Sequence, residues 1–340
     1  MSDWHVFTGS GEPHDDAMKR FTKASPPPPW RRFRGKALDD GELAVDDDLL
    51  KRFATAKFQA SEKEIEVVNA AIHLRRPLLV TGKPGTGKTT LAYAIAHELM
   101  LGKVLSWSIT SRATLQDSLY RYDPIARLQE VNRRQQRGIT EDPDIGQFIR
   151  LGPVGTALLP TRYPRVLLID EIDKSDIDLP NDLLHVFEEG RYEIPELTRI
   201  SAEQPTVRVL PADSDDKVTI HEGRVACDAF PIIILTSNGE REFPGPFLRR
   251  CVRLNVPEHD KEKLAKIVNT YFAGDKKPTE AQRNALIDQF FQRRSQGDLS
   301  TDQLLNAIYL TRYGFNLDEI KDGKEGLSET IWRHLSGGSV

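Results

Sequence analysis

Apolar residues fall along this chain into short unbroken runs and longer helical repeats, in an order that predicts alternating strands and helices followed by helices alone. Val45 to Leu74 reads as helical, and its second part opens with Ser61 and Glu64 spaced as a capping box ahead of Ile65, Val68 and Ile72. Pro77 to Thr81 is an apolar run with the length of a strand, and Leu91 to Leu99 returns to helical spacing. Lys103 to Ile109 carries Val104, Trp107 and Ile109 in a second strand-like run. Val166 to Ile169 and Ile232 to Leu235 predict strands buried on both faces, as parallel strands in α/β sheets are, and Cys251 to Val256 is the last such run. After Pro257 the pattern is helical throughout: Lys261 to Phe272, Thr279 to Arg294, Ser300 to Tyr313 and Ser328 to Leu335. These runs predict an α/β domain over 46–256 and a small all-α domain over 257–340.

Two stretches depart from that rhythm. Residues 1–45 hold Gly9, Gly11 and the run Pro26 to Pro29, a composition that favours an extended chain with little apolar surface to bury. Trp4, Phe7, Trp30 and Phe33 interrupt it, and the cluster Trp30, Arg31, Arg32, Phe33, Arg34 has the chemistry to stack on bases and pair with phosphates, or to dock on the protein's own body or a partner. Residues 111–162 are too long for a plain connection between strands; they contain a charged helical stretch, Ile125 to Arg137, and the segment IRLGPVGTALL from Ile149 to Leu159. The basic run Arg133, Arg134, Arg137 reads first as a solvated helix face.

Composition narrows the class. At 340 residues, 39% hydrophobic and 29% charged, the chain has the make-up of an ordinary globular protein with room for a main core and a smaller domain. It has no apolar run of the ~18 residues that a spanning helix needs, and its first residues lack a cationic-then-apolar signal pattern, so a cytoplasmic location away from membranes is expected. Cys227 and Cys251 are too few for a zinc cage and suit a reducing compartment. The formal net charge of −4 gives no overall basic field, so a nucleic-acid partner is not expected unless a local patch supplies one.

The chemistry is concentrated where strands end. GKPGTGKT, Gly82 to Thr89, fits G-x-x-x-x-G-K-[ST] between a predicted strand and a predicted helix. Its glycines let backbone N–H groups turn toward an anion, and the helix that follows adds the positive end of its dipole. Polyphosphate is the natural ligand, so Gly82, Pro84, Gly85, Thr86, Gly87, Lys88, Thr89 and the adjoining Thr90 are the expected nucleotide-binding residues. Lys88 is placed for the β- and γ-phosphates and the Thr89 hydroxyl for Mg²⁺. VLLIDEID, Val166 to Asp173, then puts two carboxylates at a strand's C-terminal end, where open α/β sheets bind ligands. Asp170 is placed to hold Mg²⁺ through water, and Glu171 to orient the water that attacks the γ-phosphate. Asn238 stands at the tip of another strand, where its amide can reach both γ-phosphate and water. Arg249 and Arg250, just before the last strand, are candidate transition-state cations, and their distance along the chain from Gly82 admits action on a neighbouring copy.

The order GKPGTGKT, VLLIDEID, ILTSN and FLRRC followed by a helical lid resembles the AAA+ ATPases over about residues 47–335, and finer features resemble the MoxR branch. IRLGPVGTALL occupies the place of that branch's long insertion, and LPNDLLHVFEEGRYEIP is similar to its helix facing the ring centre. Thr206 to Leu210 and Lys217 to Val225, within about 205–226, have the alternation of its β-hairpin. The resemblance implies a five-stranded parallel core sheet, Mg²⁺ and ATP, Asp170 and Glu171 as Walker B, Asn238 as sensor 1, and Arg250 ahead of Arg249 as the arginine finger. It also implies a homo-oligomeric ring, a hexamer, acting on a client protein. The family's sensor 2 arginine is missing from GDLSTDQLL, where Asp302 stands near its position, and Arg293 or Arg294 would have to substitute. DWHVFTGSGEPH and PPPPWRRF look like leaders of MoxR-type ATPases encoded beside von Willebrand A domain proteins in bacterial conflict systems, which implies a partner of that kind. A nucleotide-gated scaffold with little turnover and a nucleic-acid-stimulated motor stay open as other classes.

Overall fold

The computed structural model describes residues 4–14, 28, 31, 33, 35, 60–272, 279–294, 299–312 and 332. The expected helical stretches over 45–59 and 328–335, Trp332 apart, and Trp30, Arg32 and Arg34 lie outside the described residues.

Helix α1 (Glu62–Leu74) starts at the expected box: the Glu64 N–H donates to Ser61 Oγ at 3.3 Å, and the Ser61 N–H donates to Glu64 Oε2 at 2.6 Å. It buries Val68, Ala71 and Ile72. The chain then enters β1 (Leu78–Thr81), α2 (Lys88–Glu98) and β2 (Leu105–Ser108). With β5 (Val166–Asp170), β10 (Ile232–Ser237) and β11 (Val252–Asn255) the strands form a five-stranded sheet in the order β11-β1-β10-β5-β2, parallel at every pairing. Both faces are covered, which is why the runs are continuously apolar. Leu78, Val80, Leu168 and Ile234 point into one core with Val68, Leu91 and Ile95; Leu79, Leu167, Ile169, Ile233 and Leu235 point into the other with Leu183 and Phe187.

The long excursion after β2 folds as α3 (Leu115–Leu119), β3 (Tyr120–Tyr122), α4 (Pro124–Gln136), β4 (Ile149–Leu151) and α5 (Pro153–Ala157), with β3 and β4 paired antiparallel. Helix α4 buries none of its residues and leaves Ile125 at 69% and Leu128 at 62% exposure. Beyond β5 come α6 (Leu179–Glu189), β6 (Arg191–Glu193), α7 (Pro195–Thr198), β7 (Thr206–Val209), β8 (Val218–His221) and β9 (Arg224–Ala226).

The expected single hairpin is corrected here to a four-stranded antiparallel sheet, order β6-β9-β8-β7. β7 and β8 pair as foreseen, but Lys217 to Val225 is not one strand. Glu222 and Gly223 both take positive φ, 50° and 69°, and so form a two-residue hairpin turn that folds β9 back beside β8 and onto β6.

Helix α8 (Gly245–Arg250) leads into β11, and the C-terminal helices α9 (Lys261–Tyr271), α10 (Glu280–Arg294) and α11 (Thr301–Arg312) share a separate core of Leu264, Val268, Ile287, Phe290, Leu304, Ile308 and Trp332. The leader buries more than its composition suggests: Phe7 is fully buried in the α1–α2 core. Two wholly buried polar side chains hold it there. Asn69 Oδ1 accepts from the N–H groups of Val6 and Phe7, and Glu98 Oε1 accepts from the N–H and hydroxyl of Thr8. Further on, Phe33 stacks on Phe230 with ring centroids 4.8 Å apart. No described helix is long and apolar enough to cross a membrane.

Candidate active site

The loop from Gly82 to Gly87 connects the C-terminal end of β1 to the start of α2. Gly85 and Gly87 sit at φ 75° and 87°, a region that side-chain-bearing residues rarely adopt, and Gly87 caps α2 with no side chain. The helix therefore begins with unsatisfied N–H groups facing the loop, an anion site by construction. Lys88 is buried, and its Nζ donates to the carbonyls of Gly82 at 2.7 Å and Lys83 at 2.8 Å. Burial pulls the Lys88 ammonium below its ordinary pKa, and the charges of Asp170, Asp173 and Glu171 pull it back up.

Three strand ends converge beside this loop. Asp170 Oδ1 accepts from Thr89 Oγ1 at 3.0 Å and from Thr236 Oγ1 at 2.5 Å, while Thr236 Oγ1 accepts from the Glu171 N–H at 2.9 Å. Glu171 takes a left-handed backbone, φ 59°, at the turn out of β5, and its Oε2 lies 2.8 Å from Lys174 Nζ. Asp173 is 5% exposed; its Oδ2 accepts from the N–H groups of Asn238 at 2.9 Å and Glu240 at 3.1 Å, tying the segment after β10 to the turn after β5. Lys88, Thr89, Asp170, Glu171 and Asn238 thus come together at one edge of the sheet.

Arg249 and Arg250 do not join them. Val252 to Asn255 lie in register with Leu78 to Thr81, so residue 250 precedes the N-terminal edge of the sheet while Gly82 follows the C-terminal edge. Four residues of strand, about 13 Å, separate the two. Arg249 is exposed, and Arg250 Nε donates to Glu188 Oε1 at the end of α6.

In the lid, Asp302 is exposed in the first turn of α11. Arg294 stacks 4.2 Å over the Phe291 ring, with its Nη1 donating to the His259 carbonyl at 3.1 Å and its Nε 3.4 Å from Glu258. Glu258 in turn pairs with Lys83 of the loop at 2.7 Å. A Cβ added at Gly85 would stand 2.5 Å from the Thr301 nitrogen, so the start of α11 rests directly on the loop. Cys227 and Cys251 are free and buried, and burial pushes each thiol up to about 12, which leaves both inert.

Sequence reasoning passed over Thr236, Asp173, Glu188 and Glu258. For Thr236 a signal existed, a hydroxyl directly after the apolar run Ile232 to Leu235. For the others the contact joins elements distant in sequence, and no local pattern marks it.

A family comparison bears on this edge of the sheet. Residues 77–242 match the AAA domain, dynein-related subfamily. The matched AAA segment contains the loop, the acidic strand and Asn238, and stops before Arg249 and the lid helices. Among solved structures, NtrX from Brucella abortus in complex with ADP is similar at TM-score 0.41 and 14% identity over 80% of this chain and 55% of that one. The same protein in complex with ATP is similar at TM-score 0.39 and 13% identity, over 83% and 55%. The chain spans about half the length of those proteins. A search of curated proteins found no match.

Proposed function

We propose that this chain is a ring-forming AAA+ ATPase of the MoxR type that couples Mg-ATP hydrolysis to the remodelling or gating of a partner protein. The carrying observation is the unbroken set of hydrogen bonds from Thr89 through Asp170 and Thr236 to the Glu171 N–H, beside a lysine that the carbonyls of Gly82 and Lys83 hold in the loop. The residues fit the nucleotide and its metal: a hydroxyl and a carboxylate already in contact are the hard oxygen donors that Mg²⁺ prefers, and the loop offers N–H groups and an ammonium to phosphate. Thr89 and Asp170 would hold Mg²⁺, which would supply charge neutralisation to the phosphate oxygens. Lys88 exchanges its two carbonyls for phosphate oxygens. Glu171, its backbone pinned by Thr236, accepts hydrogen bonding from the attacking water, and the Asn238 amide orients the same water.

Arg250 completes the site of the adjoining protomer, because the sheet itself separates it from its own. Hydrolysis changes how the lid sits on the loop at Gly85 and Lys83, and so moves the insert, with the exposed Ile125 and Leu128 of α4, against the client. A hexamer and a von Willebrand A domain client agree with the resemblance of the core and leader. A switch with slow turnover is the second reading, favoured by the ion pair that holds Glu171 on Lys174. A nucleic-acid-stimulated motor finds less support: Arg133 and Arg134 both pair with Glu130, and Arg31 is buried.

Lys88→Ala tests the core of this assignment. Calorimetric titration with Mg-ATP is expected to show no binding, and unchanged affinity would remove the site.

A further inference from the structure

The pair between Arg250 and Glu188 is one-sided. Arg250 Nε donates to Glu188 Oε1, its Nη1 has only a long 3.5 Å contact with the Pro246 carbonyl, and its Nη2 engages no described residue. A guanidinium held by Nε keeps its two terminal nitrogens as a planar fork, the arrangement that binds phosphate oxygens in pairs.

What holds Glu188 is equally specific. It follows Phe187, which is 1% exposed in the core, on the last turn of α6, which packs against α8. The leader reaches the same turn. Arg31, 8% exposed, donates from Nη1 to the Phe187 carbonyl at 3.1 Å and lies 5.9 Å from the Phe230 ring centroid. Burial works against the Arg31 cation and lowers its pKa; the charge of Glu188 favours it, while those of Arg76 and Arg250 oppose it. An exposed ion pair such as Arg250 with Glu188 adds little to stability. Its consequence is orientation.

We propose that Glu188 is a positioning residue that aims the Arg250 fork at a nucleoside triphosphate bound by a second copy of this chain, and that the leader, through Arg31, fixes the turn carrying Glu188. This rests on the reading that Arg250 acts on its neighbour.

Mixed protomers separate the two claims. Lys88→Ala chains keep the finger but have a dead site; Arg250→Ala chains keep the site but have no finger. Their mixture is expected to regain ATPase activity that neither shows alone. Adding Glu188→Gln to the Lys88→Ala chain is expected to cut that rescue about ten- to a hundredfold, the scale of a small misplacement of a catalytic group. Glu188→Asp there recovers part of it, and Arg31→Gln there lowers it by a smaller factor. Adding Glu188→Gln to the Arg250→Ala chain has no further effect, since that chain has no Arg250 to aim. If the parent mixture shows no rescue, action on the neighbour is wrong and the positioning role falls with it. If rescue occurs but is equal with and without Glu188→Gln in the finger donor, the positioning role alone is overturned. Equal loss from either side, with sedimentation showing weakened assembly, overturns it as well.

Discussion

Asp170 and Arg250 each stand at the end of an element beside the same sheet, and they are held in different ways. Asp170 closes β5 within a set of hydrogen bonds that includes Thr89 and Thr236, next to buried Lys88 and Asp173. Arg250 closes α8 with one ion pair through Nε, a long 3.5 Å contact from Nη1 to the Pro246 carbonyl, and no described partner for Nη2. The first corner is finished within a single chain. The second is not, and the strand register puts it at the opposite end of the sheet from Gly82. If Arg250 serves a neighbouring copy, as proposed, assembly becomes a condition of turnover.

That contrast is sharpest in Arg250→Ala. Removing an exposed cation is expected to leave the melting temperature and ATP affinity unchanged while lowering turnover by about 10³ to 10⁵. A variant that hydrolyses ATP normally would break the comparison. Glu171→Gln is next: affinity retained and turnover reduced by about 10² to 10⁴, the range for a positioned base, as read by steady-state phosphate release. Asp173→Ala probes the finished corner from behind. It strands the N–H groups of Asn238 and Glu240, so a loss of about 1–3 kcal/mol in urea unfolding is expected, with a smaller drop in turnover than either variant above. Stability unchanged in that variant would show the corner to be less tightly built than its hydrogen bonds imply.

Legibility follows the same division. The nucleotide loop and the acidic strand could be read because each needs particular residues at neighbouring positions: glycines where φ is positive, a lysine and threonine at the helix start, carboxylates after four apolar residues. The lid helices were readable from periodicity, since they form a small core of their own. The bonds that lock the corner join residues far apart in sequence, such as Asp170 with Thr236 and Asp173 with Asn238. The β6-β9 pairing was hidden by a turn that splits one apparently continuous strand at Glu222 and Gly223. That the leader's aromatics would dock was legible, but where Phe7 seats was not, because its place depends on Asn69 and Glu98 in distant helices.

The smallest expected effect concerns the junction of body and lid. His259 is buried beside Arg294, and burial, with Lys263 adding to it, lowers its pKa from 6.5 to about 4. The unfolded chain therefore takes up the proton first. Stability is full above pH 6.5 and falls as the pH drops toward 4. His259→Asn is expected to flatten the melting temperature over that window, and an unchanged slope would place the acid sensitivity elsewhere.

Specific ATPase activity measured against protein concentration, with Mg²⁺ and saturating ATP and no partner present, tests the divided site most directly. Activity per chain is expected to rise steeply and then saturate, in step with assembly seen by sedimentation. Full activity at concentrations where sedimentation shows single chains would contradict it.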